Sequence, residues 1–148
     1  MDITNDLTSG DARAVAQPVL ADLCTLDGEC TQVVTDLTYD AADPFAVTLV
    51  FRATPRPVRW TFARGLLAAG LWDPTGDGDV HVWSCLDDHG APVVMVELCS
   101  PGGDVLVQLA TPEVVTFLDR TEAVVPTGTE AAHLDLDAVI AAVLTDAL

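Results

Sequence analysis

Hydrophobic and polar residues alternate along several stretches of the first half of the chain, which is the pattern of half-buried β-strands. Residues 32–39 are rich in Val and Thr and end at a turn signal in residues 40–44. Residues 45–52 place four apolar side chains on one face, and the alternation resumes at residues 58–62 after the proline-rich residues 54–57. The pattern therefore predicts three consecutive strands, and an earlier strand lies near residues 18–25.

The hydrophobic period changes after the third strand. Residues 63–69 have the spacing of a short helix, which Gly70 ends. The second half repeats this order, with strands predicted at residues 80–83, 93–98 and 105–109 and a helix at residues 111–120. Thr111 is the predicted N-cap of that helix, and Pro112 and Glu113 suit its first turn.

A C-terminal helix is predicted after Asp135, which serves as its N-cap. Its apolar side chains fall at i, i+3, i+4, i+7 and i+8 and are Leu136, Val139, Ile140, Val143 and Leu144. This stripe packs either on the protein's own core or on a neighbouring subunit. Residues 1–14 are polar and acidic and are expected to form a flexible tail, whereas residues 15–148 form the folded domain.

The predicted fold class is α+β. Short loops between consecutive strands favour antiparallel pairing. We therefore expect a single domain of two antiparallel β-sheets plus the C-terminal helix. The strands of each sheet come from one strand-strand-strand-helix repeat.

Composition and charge narrow the function classes. The chain has 148 residues, of which 50% are hydrophobic, and 23 acidic against 6 basic residues give a net charge of −17. Half-apolar composition excludes a disordered protein, and the negative charge opposes binding to nucleic acid or anionic membrane over most of the surface. No apolar run approaches ~18 residues and residues 1–6 lack the features of a signal peptide, so we expect a cytoplasmic protein that does not insert into the membrane.

The four cysteines show no Cys-x-x-Cys spacing, and no histidine pair stands at metal-ligand spacing. Cys24, Cys30, Cys85 and Cys99 are therefore expected to be buried free thiols, although Cys24 and Cys30 are close enough to bridge in an exported protein. No metal and no cofactor are expected.

Residues 73–79 resemble a calcium-binding loop at first sight. The twelfth position of such a loop is Ser84 instead of a bidentate Glu, and a strand follows where a helix is needed, so a solvated turn is the better interpretation. His81, His89 and His133 have no local partner pattern, and the sequence lacks the common nucleophile and phosphate-loop motifs. No catalytic residue is predicted, and we expect a protein that is not an enzyme.

Residues 44–72 carry an unusual charge for this protein. They contain Arg52, Arg56, Arg59 and Arg64 and no acid, so this segment has charge +4 while the other residues sum to −21. A hairpin that closes over residues 54–57 places Phe51 opposite Trp60 on the core face and Arg52 opposite Arg59 on the other face. Directly opposed like charges are unfavourable, which calls for an anion nearby.

Three sources of that anion remain open. Acids of the same chain or water are one source, and an acidic segment of a partner protein is the second. A nucleic-acid phosphate is the third, and the surrounding negative charge opposes it. The predicted partner-binding residues are Arg52, Arg56, Arg59 and Arg64. A core role is the preferred interpretation for Trp60, Phe62, Leu66 and Leu67.

Several segments together resemble a known family. They are residues 39–47, residues 60–67, the glycine-rich residues 74–83, residues 117–121 and residues 125–130. In order and spacing, over about residues 20–144, the chain is similar to the SsgA-like sporulation and cell-division proteins of actinobacteria. The acidic leader through about Asp11 is a departure from the shorter family members.

The resemblance implies a non-catalytic cytoplasmic protein that acts at the division septum. Such a protein recruits the tubulin-like division protein FtsZ or acts on cell-wall remodelling, and other SsgA-like proteins are further partners. It also implies a fold like that of the Whirly single-strand-binding proteins and a homotrimer. A single-stranded nucleic-acid-binding protein is the alternative function, and it rests on that fold analogy alone.

Overall fold

The computed structural model describes residues 13–52, 55–134 and 136–147. The strands are β1 Ala14–Thr25, β2 Cys30–Asp40, β3 Ala46–Phe51, β4 Val58–Ala63, β5 Thr75–Asp77, β6 Val80–Leu86, β7 Pro92–Ser100 and β8 Gly103–Ala110. The helices are α1 Arg64–Gly70, α2 Thr111–Val124, the 3₁₀ turn Glu130–His133 and α3 Leu136–Ala147. The predicted α+β domain of antiparallel strands is confirmed.

The strands form one sheet of eight, in the order β4-β3-β2-β1-β8-β7-β6-β5. The two predicted sheets are its two halves, so the expectation of separate sheets was wrong. The halves join because Asp22–Thr25, the last residues of β1, also pair antiparallel with residues 105–108 of β8. The length of β1 makes this possible, since its 12 residues pair with β2 along most of their length and still extend beside β8.

Each half of the sheet has four strands, and a helix follows them in the chain. The second half therefore has one strand more than predicted. The missed strand, β5, has only three residues and lies in the glycine-rich segment that we interpreted as a turn. Thr75–Asp77 pair with Val80–Val82, and Gly78 takes a φ of +61° in the two-residue connection. This segment is therefore a tight hairpin.

The core lies between one face of the sheet and the helices α1 and α2. Val114, Phe117, Leu118 and Thr121 of α2 are buried at i, i+3, i+4 and i+7. The predicted core side chains Phe62, Leu66 and Leu67 are buried, and Trp60 packs partly buried against them. The opposite face of the sheet, called the open face below, carries the alternate residues of each strand.

The start of α2 differs from its prediction. Thr111 is the first helical residue, and Ala110 occupies the N-cap without a side-chain hydrogen bond. The Thr111 hydroxyl is buried without a hydrogen-bond partner among the described residues. The helix also continues to Val124, four residues past the predicted end.

The β3–β4 hairpin has a different register from the predicted one. Arg59 lies opposite Val50 and Phe51 lies opposite Val58, so the predicted pairs Phe51–Trp60 and Arg52–Arg59 were wrong. The Thr48 and Thr61 hydroxyls hydrogen-bond at 2.8 Å across the observed register. Because the shift is two residues, each side chain keeps its predicted face of the sheet.

Two cysteines are bonded to each other, which corrects the prediction of free thiols. The β1–β2 register sets Cys24 directly opposite Cys30, and they form a disulfide. Cys85 and Cys99 are free, and Cys85 is exposed instead of buried.

The C-terminal helix is present as α3, although its predicted N-cap, Asp135, lies outside the described residues. Ile140, Val143 and Leu144 of the predicted apolar stripe are 55%, 60% and 59% exposed. In the isolated chain this part of the stripe therefore remains in contact with solvent.

Gly70 determines how closely α1 approaches the sheet. A Cβ atom at this position would lie 2.2 Å from Val82 Cγ1 and 3.1 Å from the Val82 carbonyl carbon, whereas a Cβ at Gly65 in the same helix meets nothing within 4 Å. We predict that G70A lowers the free energy of unfolding by roughly 1–3 kcal/mol through overpacking. The matched variant G65A raises it by roughly 0.5 kcal/mol through helix propensity. Urea unfolding of both variants measures the difference, and equal stabilities would contradict this account of the contact.

Candidate partner-binding surface

Three of the four predicted arginines lie at one end of the sheet, around the β3–β4 hairpin. In the register, Asp36 of β2, Val50 of β3 and Arg59 of β4 follow one another across the open face. Arg52 follows Val50 by two residues on this face, so it is a diagonal neighbour of Arg59, at a typical Cα distance of about 7–8 Å. Arg56 lies exposed in the connecting loop. Arg52, Arg56 and Arg59 are called the arginine surface below.

Arg52 has a partner within its own chain. Its Nε donates a hydrogen bond of 2.7 Å to Asp36 Oδ2, and its Nη2 also contacts that oxygen. The Arg52 side chain nevertheless remains 53% exposed, whereas that of Asp36 is 17% exposed. Asp36 is therefore held within the sheet, whereas the Arg52 guanidinium still has N–H donors that face solvent.

Arg59 is more available to a partner than Arg52, which contacts Asp36. It is exposed, and within the described residues no hydrogen bond or ion pair of its guanidinium is found. It lines a shallow groove whose other walls include Thr48, Asp40 and Asp43. The positive field is therefore confined to the hairpin end of the groove, and acids lie at the other end.

Apolar side chains lie beside the arginine surface on the same face. Leu20 of β1 is directly opposite Val34 of β2, and they are 52% and 50% exposed. The Arg52 amide donates a hydrogen bond to the Val34 carbonyl, which places Arg52 next to this pair. Cations beside a solvent-exposed apolar pair suit a protein segment that carries both acidic and apolar side chains. Leu20 and Val34 were not among the predicted site residues, although both fall at outward positions of the strand alternation.

Strand β4 is an edge of the sheet. It pairs with β3 on one side, and no described strand pairs with its other side. Edge strands present unpaired amide and carbonyl groups to which an extended peptide can add. The arginine surface therefore adjoins a backbone capable of strand addition.

Arg64 lies apart from the other three arginines. It begins α1, and it is only 2% exposed. Its Nη1 donates hydrogen bonds to the carbonyl oxygens of Thr121, at 3.2 Å, and Val125, at 2.8 Å. Its guanidinium lies 4.9 Å above the centre of the Tyr39 ring. The interpretation of Arg64 as a surface contact is therefore corrected, because this side chain links the sheet, α1 and α2.

The charge of Arg64 is balanced by two glutamates, Glu122 near the end of α2 and Glu130 in the 3₁₀ turn that follows it. Its Nη2 donates a hydrogen bond of 2.9 Å to Glu130 Oε2, and its Nη1 lies 3.5 Å from Glu122 Oε2. The hydrogen bond from Arg64 is the main cause that lowers the pKa of Glu130 below its ordinary value. Burial alone would raise the pKa of Glu122, but hydrogen bonds from Thr127 and the charge of Arg64 outweigh it and lower this pKa as well.

The lowered pKa of Glu130 makes stability depend on acid pH. Because the carboxylate is favoured in the folded state, its stabilisation is present above the ordinary pKa of 4.5 and is lost as pH falls through the lower, folded value. We predict that E130Q melts below wild type at neutral pH and that this difference shrinks below pH 4.5. The control is D119N, which removes an exposed carboxylate of α2 in the same way. Melting temperatures between neutral and acid pH test this, and a constant E130Q difference would contradict it.

Within the described part of the chain, no helix has the length and apolar character needed to span a bilayer.

Comparisons with known proteins give the family of the chain. Residues 33–130 match the family model described as "Streptomyces sporulation and cell division protein, SsgA". The sporulation-specific cell division protein SsgB of Streptomyces coelicolor is 46% identical over 111 residues, which are 74% of this chain and 80% of that protein.

Two solved structures have a similar fold. One is described as "Mutations in SsgB correlate to longitudinal cell division during sporulation of Streptomyces coelicolor". It is 41% identical in sequence, with a TM-score of 0.75, and the match covers 81% of this chain and 94% of the chain in that structure. The other is an SsgA-like sporulation-specific cell division protein from Thermobifida fusca, with a TM-score of 0.77, 34% identity and coverage of 86% and 93%. With the matches in sequence, these likenesses show that the chain belongs to the SsgA family of sporulation and cell-division proteins.

Proposed function

We propose that this protein is a non-catalytic adaptor in sporulation-specific cell division, which helps to place the septum by recruiting the tubulin-like division protein FtsZ. The observation that carries the proposal is the arginine surface, a positive region on a chain whose net charge is −17. The family supports a role in cell division, since the relatives are named cell-division proteins and not enzymes. The protein would act in the cytoplasm, at the division septum.

Electrostatics supports an acidic partner segment at this surface. Arg59 is exposed and Arg52 is half-exposed, whereas the rest of the molecule repels anions. A partner with acids at the matching positions gains attraction at the arginine surface, and an incorrectly docked one meets repulsion elsewhere. The exposed Leu20 and Val34 add apolar contact, and the free edge of β4 adds backbone hydrogen bonds.

Several copies of the surface would act together. A homotrimer presents three equivalent sites, and multivalent attachment raises apparent affinity by ~10²–10⁴ over a single weak contact. We assign the subunit contact to α3, because its exposed Ile140, Val143 and Leu144 form an apolar stripe in the isolated chain. Other SsgA-like proteins are candidate partners for the same stripe.

A single-stranded nucleic-acid-binding protein of Whirly-like fold is the second candidate. Arginines on an open sheet face favour it, because such proteins bind the backbone in a basic groove. They also need exposed aromatic side chains for stacking, and aromatics are only 5% of this chain. Steeply salt-dependent affinity for labelled single-stranded DNA would favour this candidate over the adaptor.

Charge reversal at the arginine surface tests the adaptor function. We predict that R59E weakens binding to purified FtsZ at least tenfold, and that R52E/R59E abolishes both binding and septal localisation of a fluorescent fusion. R59E is the more specific of the two variants, because R52E/R59E also removes the contact of Arg52 with Asp36.

The matched control is R120E, which changes the charge equally. Arg120 is exposed on α2 and contacts Gln17 on the helix-covered side of the sheet. Binding by R120E should remain near that of wild type. If R59E and R120E bind FtsZ equally, the arginine surface is not the contact.

The subunit assignment has its own test. We predict that V143D shifts the protein from a species of about three chain masses of 15.6 kDa to a monomer, measured by light scattering. Ala142 is exposed on the other side of α3, so A142D adds the same charge outside the stripe and should preserve the oligomer. A monomeric wild type, or equal masses for the two variants, would refute the assignment.

A further inference from the structure

The open face of the second half of the sheet brings together a histidine, a glutamate and a cysteine. His81 of β6 lies directly opposite Glu97 of β7, and Cys99 follows Glu97 by two residues on the same face. One nitrogen, oxygen or sulfur atom from each of the three side chains lies within 4.8 Å of the others. They are far from the arginine surface, since β6 and β7 belong to the other half of the sheet.

The distances are close to those of a metal site. His81 Nδ1 lies 3.5 Å from Glu97 Oε1. Tetrahedral zinc has Zn–N and Zn–O bonds of about 2.0–2.2 Å and Zn–S bonds of about 2.3 Å, which places neighbouring ligand atoms about 3.3–3.8 Å apart. The His81–Glu97 spacing already has this value, and the Cys99 sulfur needs only a small side-chain adjustment.

Gly76 fixes the orientation of the His81 ring. Gly76 of β5 lies opposite His81, and a Cβ atom there would be 2.3 Å from His81 Cδ2 and 3.0 Å from Nε2. The Cδ2–Nε2 edge of the ring therefore rests against the bare glycine backbone, and Nδ1 points to Glu97. A cavity of about 380 Å³ borders both His81 and Glu97, and the His81 side chain is 47% exposed, so an ion has access from solvent.

We propose that His81 Nδ1, a Glu97 carboxylate oxygen and the Cys99 sulfur bind one Zn²⁺ ion per chain. A mixed nitrogen, oxygen and sulfur set suits zinc, whereas Mg²⁺ and Ca²⁺ require oxygen ligands. On binding, the Cys99 thiol releases its proton to solvent, and the thiolate and the Glu97 carboxylate then balance the two positive charges of the ion. Asp104, directly opposite Cys99 on β8, or a water molecule supplies the fourth ligand.

An ordinary cross-strand ion pair explains this arrangement less completely than a metal site does. It explains His81 beside Glu97, but it gives no reason for the sulfur of Cys99 to converge on the same two atoms. Asp104 lies directly opposite Cys99, and the Cys99 amide donates a hydrogen bond to the Asp79 carbonyl, so two further acids near the cluster add negative charge where a cation would bind.

The test uses the full chain with the Cys24–Cys30 disulfide intact, stripped with a chelator and titrated with Zn²⁺ or Co²⁺. The expected result is one ion per chain, with affinity reduced at least tenfold in H81Q, E97Q and C99S. The Co²⁺ complex should show thiolate-to-metal charge-transfer absorption that is lost in C99S. At a Zn²⁺ concentration about a hundredfold above Kd, the melting temperature should rise by roughly 5–10 °C.

Matched controls come from the exposed His89 and Cys85, which lie outside the cluster. H89Q and C85S should bind the ion as wild type does and keep the charge-transfer band. R59E should bind zinc normally, so a failure of the adaptor function does not affect this result. No binding by wild type, or equal affinity for C99S and C85S, would overturn the site.

Discussion

The pairing of β1 with β8 is the interaction on which the rest of the structure depends. Within residues 13–52, 55–134 and 136–147, each half of the chain builds four antiparallel strands and a helix, and backbone hydrogen bonds between residues 22–25 of β1 and 105–108 of β8 join the two halves of the sheet. This connection makes one continuous face for α1 and α2 to cover and leaves a second continuous face open. The proposed partner contact and the proposed zinc site both lie on that open face, at opposite ends.

Arg64 shows how one buried charge is satisfied in an acidic protein. Its guanidinium donates to backbone oxygens of α2 and to Glu130, and it lies over Tyr39, so its charge and most of its donors have partners within the chain. A buried cation without such partners would be strongly destabilising. The excess of acids therefore has a structural use here, since Glu122 of α2 and Glu130 of the segment after it both balance the charge of Arg64.

The same excess of acids underlies the selectivity that we propose for the arginine surface. A chain with charge −17 repels most anionic molecules, so an acidic partner is attracted only where arginines outnumber acids. The contact of Arg52 with Asp36 limits this attraction to part of the surface, and Arg59 supplies a further exposed cation. A weak contact of this kind suits an assembly that gains affinity from several copies.

The sequence by itself determined the local features. Alternation, β-rich composition and turn signals located seven of the eight strands, the change of period located α1, the helix-start residues 111–113 located α2, and motif order identified the family. The outward positions of Arg52 and Arg59 also followed from alternation, because a register shift of two residues keeps every side chain on its face. β5 was missed because three residues in a glycine-rich segment carry too little periodicity.

Contacts between residues that are far apart in the chain were decided only by the tertiary structure. Arg64 resembles the other arginines in sequence, but it is buried because its partners stand 57–66 residues away. The joining of the two halves of the sheet depends on residues 80–86 positions apart. His81 and Cys99 lack any local ligand spacing, and the β6–β7 register alone brings them together around Glu97. Sequence patterns report neighbours within a few residues, whereas strand register is fixed by the packing of the whole sheet.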